Sequence, residues 1–192
     1  MNNRNKLNTI FVILATVALV LACSGGGDQL AEANKRVDEA NKKIDEANDL
    51  IKKTEAQNQL LFGANIQTVG QLNYYKDRMR GTAKDIVDNY EKAGTTLKEV
   101  SKIFDDASRL NVSDKYKEYV KLKSDEFAKR AEAADIRKGN AQAFIEIDSP
   151  RTMAQKFEDN NDKFTKKVKE ADDIAEKAKK IETENKDIFK TT

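Results

Sequence analysis

The sequence predicts an all-α fold: an elongated antiparallel helical bundle or coiled coil of about four long helices. Three observations carry that reading. Apolar residues recur at alternating spacings of three and four over most of the chain, which places them on single helical seams. Charged side chains make up 35% of the residues with both signs interleaved, and there is one proline. That is the profile of solvated helix surfaces, not of a disordered acidic or basic tail. Finally, short turn signals at Gly63, at Asn111-Val112-Ser113-Asp114 and at Asp148-Ser149-Pro150 separate the periodic stretches. Short connections make consecutive helices fold back on one another.

Taken in order, residues 1–22 differ from everything that follows. Arg4 and Lys6 precede an uncharged apolar run from Ile10 to Ala22, which ends at Cys23, the only cysteine. A basic start, a short apolar core and small residues before a processing point make a secretory signal. As a helix this run reaches about 20 Å against a hydrocarbon core of ~30 Å, which favours a cleaved signal over a retained anchor. Ser24-Gly25-Gly26-Gly27 then reads as a short flexible tether.

The remaining residues, 28–192, form the bundle. A first helix is expected over 28–62, where Leu30, Val37, Ile44 and Ile51 alternate with Ala33, Ala40, Ala47 and Thr54 at seven-residue intervals. Alanine at every second core position keeps the seam narrow, so a partner helix approaches closely. That partner is either another segment of the chain or a second copy. Asn58, next in register, either loosens the seam or fixes it, and Gly63 suits a helix end.

A second helix is expected over 65–110, with Val69, Leu72, Met79, Ala83, Ile86, Tyr90, Ala93, Leu97, Val100, Phe104 and Ala107 on the seam and Lys76 interrupting it. The phase passes through Gly94 without a slip, which favours one long helix. The rival reading breaks it at Gly94-Thr95, where Thr96 and Glu99 have capping-box spacing. Ser113 is a fair N-cap for a third helix over 113–146 carrying Tyr116, Val120, Phe127, Ala131 and Ala134. Gly139-Asn140 could stop that helix early, or it could continue through Phe144 and Ile147. Ser149 before Pro150 is a strong start for a fourth helix over 150–189, with Met153, Phe157, Phe164, Val168, Ala171, Ile174, Ala178, Ile181 and Ile188 on its seam. Off-seam Tyr74, Tyr119, Leu122 and Ile136 widen the apolar stripe, which suits a bundle more than a two-helix coil.

Composition bounds the chemistry. Arg4 and Lys6 are the only charges before Cys23, so the rest of the chain carries 33 basic and 33 acidic side chains. That balance argues against a nucleic-acid binder or a polybasic membrane-surface protein. The chain has no histidine, so it lacks the usual general base near neutral pH and the commonest transition-metal ligand. Adjacent carboxylates such as Asp105-Asp106, Asp125-Glu126 and Asp172-Asp173 point about 100° apart on a helix and do not converge on one reacting atom. Asp159-Asn160-Asn161-Asp162 lacks the glycine and terminal glutamate of a calcium loop and reads as helix surface. No residue is assigned a catalytic, metal or cofactor role, and a non-enzymatic protein without cofactor is expected.

Val20-Leu21-Ala22-Cys23 resembles the lipobox of bacterial lipoproteins. The resemblance implies cleavage between Ala22 and Cys23, a diacylglycerol on the Cys23 thiol, acylation of the new amino group, and export to the cell envelope. Ser24 after the cysteine resembles the residue of outer-membrane sorting, which favours the outer membrane in a host with two membranes. The first helix is similar in style to the major murein lipoprotein. Residues 28–192 are far longer than that family, and Thr191-Thr192 stand where it has its wall-linked lysine, so wall attachment is not carried over. The expectation is a lipid-anchored envelope protein acting as a structural or interaction module, with protein partners in the envelope, no nucleic acid, and homo-oligomerisation left open. The alternative is an envelope binding module or chaperone that holds a peptide, lipid or unfolded protein between its helices.

Overall fold

The computed structural model describes residues 27–63 and 66–189. Four long helices account for nearly all of them: α1 (Gly27–Phe62), α2 (Val69–Ser108), α3 (Asp114–Glu146) and α4 (Pro150–Glu184), followed by a 3-10 turn at Lys186–Phe189. The fold is an all-α bundle of antiparallel neighbours. The signal stretch, Ala22 and Cys23 lie outside the described residues.

The heptads of α1 do what their spacing requires. Val37, Ile44 and Ile51 and the intervening Ala33, Ala40 and Ala47 are all buried, as is Thr54. The Thr54 hydroxyl donates to the Leu50 carbonyl at 2.6 Å, so this polar seam position leaves no hydroxyl unsatisfied. α1 stops at Gly63, where a Cβ would come within 2.8 Å of the Gln59 carbonyl oxygen. Only glycine fits that contact without a shift.

α2 begins at Val69, the first residue of its seam and four residues after the expected bound at 65, because Thr68 and Gln71 form a reciprocal capping box. The Gln71 N–H donates to Thr68 Oγ1 at 3.2 Å and the Thr68 N–H donates to Gln71 Oε1 at 3.1 Å. Each bond satisfies an amide that helix geometry leaves open. The helix then runs unbroken through Gly94, where α2 and α3 come close. A Cβ there would lie 3.7 Å from the Ala134 Cβ. Nearly three turns further along, Phe104 and Phe127 stack with ring centroids 5.8 Å apart. At 1.5 Å per residue α2 is about 60 Å long, which makes the bundle a rod.

Ser113 caps α3 through the Tyr116 amide at 3.2 Å. Ser149 caps α4 through the Thr152 amide at 3.3 Å, with Pro150 in the first turn. α3 continues past Gly139-Asn140 to Glu146 because Ala141, Ala143 and Phe144 are all buried there. α1 packs on α2, α2 on α3 and α3 on α4. α3 is therefore the inner helix, with 16 of its 33 residues buried.

Three seam expectations change. Val69 and Tyr74 are exposed, because no other helix crosses the outer face of the first turns of α2. Lys76 does not interrupt the packing: its stem is largely covered and its Nζ reaches Asp148 at 2.8 Å, tying α2 to the α3–α4 turn. Tyr119, by contrast, is fully engaged in the core, and Leu122 and Ile136 are partly covered.

Two substitutions check this packing in thermal unfolding. Gly81 lies mid-helix with open space where a Cβ would go, so Gly81→Ala raises stability by about 0.5–1 kcal/mol. Ala93 is fully buried in α2, so Ala93→Leu overpacks it and lowers stability by about 1–3 kcal/mol.

Candidate functional site

The most unusual feature of the interior is polar. α3 carries Tyr116, Lys123, Arg130 and Arg137 at seven-residue intervals, and all four are buried. Seven-residue spacing returns to the same helix face, so these residues form one row. α1 carries a matching row of Asn34, Asn41, Asn48 and Glu55. The Tyr116 hydroxyl donates to Asn34 Oδ1 at 3.0 Å, and Arg137 Nε faces Glu55 Oε1 at 3.6 Å. The Asn111 amide meets Gln29 with the same 82-residue separation as Tyr116 and Asn34. α1 and α3 thus run parallel and in register across the bundle, with Asn41 level with Lys123 and Asn48 level with Arg130.

The middle of the row is a chain of charges. Lys123 Nζ donates to Glu126 Oε2 at 2.7 Å, and Arg130 Nε donates to Glu126 Oε1 at 2.9 Å. Arg130 Nη2 continues to Asp172 Oδ1 on α4 at 3.2 Å. Asp172 is 58% exposed, so the chain ends in water. Glu126 is almost wholly enclosed and has a cation on each oxygen, so each member of the trio has a partner.

At Arg137 all four helices meet. Its guanidinium lies 3.8 Å from the centroid of the Phe164 ring of α4. Glu55 of α1 also accepts from the Tyr90 hydroxyl of α2 at 3.2 Å, and Tyr90 accepts from Asn58 Nδ2 at 2.6 Å. Burial, and then the negative charge of Glu55, push the Tyr90 hydroxyl well above its ordinary range, so it stays protonated as a donor. Asn58 fixes the α1 register, and does not loosen it. The gap between Ile51, Glu55, Tyr90, Ala134, Arg137 and Phe164 is about 10 Å³, room for one water at most.

The α3–α4 contact has the same character. Asn160 Nδ2 donates to Asn140 Oδ1 at 2.7 Å, both side chains being buried. Asp159-Asn160-Asn161-Asp162 is helix as expected, but Asn160 faces inward. Lys167 sits between Glu132 at 2.6 Å and Glu170 at 3.1 Å. Its hydrogen bonds hold both carboxyls below their ordinary range.

These groups position helices. The serine pair Ser101 and Ser124, 3.2 Å apart across α2 and α3, has no histidine to activate it. Among the described residues no cluster of three or more histidine, cysteine, aspartate or glutamate side chains is placed to hold a metal, and no helix is long and apolar enough to cross a membrane. The larger opening, about 180 Å³, lies between α2 and the end of α3 over Phe144 and Ile145, rimmed by Lys76, Asp77, Arg80 and Asp148. Compared with known protein families, curated proteins and solved structures, the chain matches none.

Sequence reasoning missed the buried row, although its signal is present: charged residues at seven-residue intervals on a helix whose apolar seam is short. Two experiments check these contacts. Asn160→Leu alone strands Asn140 and costs about 1–3 kcal/mol in denaturant unfolding, while the double change Asn140→Leu/Asn160→Leu restores most of it. For Glu132 and Glu170, folded values below the unfolded value of about 4.3 mean stabilisation present above that pH and lost as pH falls through the folded values. Acid unfolding followed by circular dichroism therefore loses part of its steepness below about pH 4 in Lys167→Met.

Proposed function

We propose that the chain is a lipid-anchored cell-envelope protein, a non-catalytic structural or interaction module displayed on a helical rod. The observation that carries this reading is Leu21-Ala22-Cys23-Ser24, placed at the end of a basic-then-apolar leader. Helix α1 begins at Gly27, four residues after Cys23, so the rod would stand directly on its anchor. Two lipid signals suffice for stable attachment, and a diacylglycerol with an added acyl chain exceeds that. In a host with two membranes, Ser24 favours the outer one. Buried charge pairs and a thin alanine-rich core support a scaffold, since they hold helices in register and leave the surface for partners.

A second reading has its own observation. Ala133, Phe164 and Val168 form a small apolar cluster separate from the main core, and polar pairs such as Asn140–Asn160 and Glu132–Lys167 flank it. A swing of α4 away from α3 would then expose a groove for a peptide, lipid or unfolded protein.

Intact mass and detergent-phase partitioning of the native protein beside Cys23→Ala test the main reading. Loss of the 22 leader residues with an added lipid mass, and an unprocessed variant, are the expected results. A full-length, unmodified native protein in the aqueous phase would overturn it.

A further inference from the structure

Residues 56–75 form a twenty-residue stretch without a single charge, in a chain that is 35% charged. The described parts of this stretch, the last turns of α1 and residues 66–75 with the first turns of α2, lie at one end of the rod. With α1 36 residues long, that end stands about 54 Å from the start of the helix beside Cys23.

The outside of the tip sets three large apolar side chains among the uncharged polar Gln59, Gln67, Thr68, Gln71 and Asn73. Leu61 and Leu72 are buried beneath it. Leu60, Val69 and Tyr74 are 66%, 54% and 62% exposed, and they are the large exposed hydrophobic residues among those described. The Tyr75 hydroxyl donates to the Leu60 carbonyl at 2.6 Å, which ties the end of α1 to α2 and fixes Leu60 outward. Just behind follow Lys76, Arg78 and Arg80, with Asp77 between them and Asp148 of the α3–α4 turn paired to Lys76. Arg78 Nη1 donates to the Tyr74 hydroxyl at 2.7 Å, and neither Arg78 nor Arg80 has an ion-pair partner among the described residues.

We propose that this tip inserts shallowly into the headgroup interface of an anionic bilayer, with Leu60, Val69 and Tyr74 entering and Arg78 and Arg80 meeting the lipid phosphates. The reading rests on the anchored rod above, and it makes the protein a bridge between the membrane that holds Cys23 and a second one. Tyrosine, with an apolar ring and a polar end, suits that depth. Guanidiniums at the rim complement anionic headgroups. Three apolar side chains on a convex end offer a protein partner far less than the about 800 Å² per side of a stable interface. A fluid interface, by contrast, wraps a convex end.

The test reconstitutes the full lipidated chain in neutral phosphatidylcholine vesicles and mixes them with vesicles of equal phosphatidylglycerol and phosphatidylcholine, reading clustering by light scattering. Clustering that needs the anionic vesicles and weakens with salt is expected. Arg78→Gln and Arg80→Gln each reduce it about fivefold. The triple variant Leu60→Ser/Val69→Ser/Tyr74→Ser abolishes it with its helical circular dichroism unchanged. Clustering that persists in the triple variant overturns the proposal, as does none at all from vesicles that carry the protein. Clustering among the neutral vesicles alone also overturns it, and names a second copy as occupant. Should the neutral vesicles fail to retain the protein, the anchor is what fails. Flotation of the free chain with the anionic vesicles then decides the tip with the same variants.

Discussion

The fold depends on the pairing of charges buried along α3. Lys123, Glu126, Arg130 and Arg137 lie inside a bundle whose other core residues are largely alanine, valine, isoleucine and aromatic. An isolated buried charge is costly, so each must find a partner on a specific neighbour. Glu126 satisfies Lys123 and Arg130 within α3, Asp172 extends the chain to α4, and Glu55 meets Arg137 from α1. An apolar seam of near-identical heptads tolerates displacement by one repeat. A row of unlike polar pairs does not, because sliding α1 by seven residues would remove Glu55 and Asn58 from Tyr90 and Arg137. Register across α1 and α3 is marked by the Tyr116–Asn34 bond and the Arg137–Glu55 ion pair, with Arg137 Nε itself making no hydrogen bond, while apolar burial supplies the driving force.

This division explains why the two ends of the molecule differ. The junction at Arg137 brings four helices together and leaves no room for a ligand. Beyond it α1 and α2 carry charge-free sequence with a tie between Tyr75 and the Leu60 carbonyl, packed through Phe62 on Phe157 and Tyr75 on Phe144, and Leu60, Val69 and Tyr74 are exposed. The body holds its helices through buried polar pairs, and the large exposed apolar side chains among the described residues gather at the other end.

Much of the fold was legible in the residues. The alternation of Val37, Ile44 and Ile51 with alanines marked α1, and Ser113 and Ser149-Pro150 marked the starts of α3 and α4, because period and capping are local properties. The unbroken phase through Gly94 correctly favoured one helix over two. The start of α2 was misplaced because the Thr68–Gln71 box is a short-range signal masked by the apolar residues around it. Val69 has the spacing of a core position and Tyr74 lies off the seam, where it would widen the stripe, yet either is buried only where another helix lies over it.

By itself the sequence determined that the chain forms four helices, where their apolar seams run, and that histidine-dependent chemistry is excluded. Those are matters of local period, end chemistry and composition. Tertiary structure alone decided that α3 is the inner helix, because that depends on which faces its neighbours cover. It also decided that Asn160 and Arg130 turn inward and that a charge-free stretch becomes an exposed tip. A heptad position has no inside or outside until a second helix is placed against it.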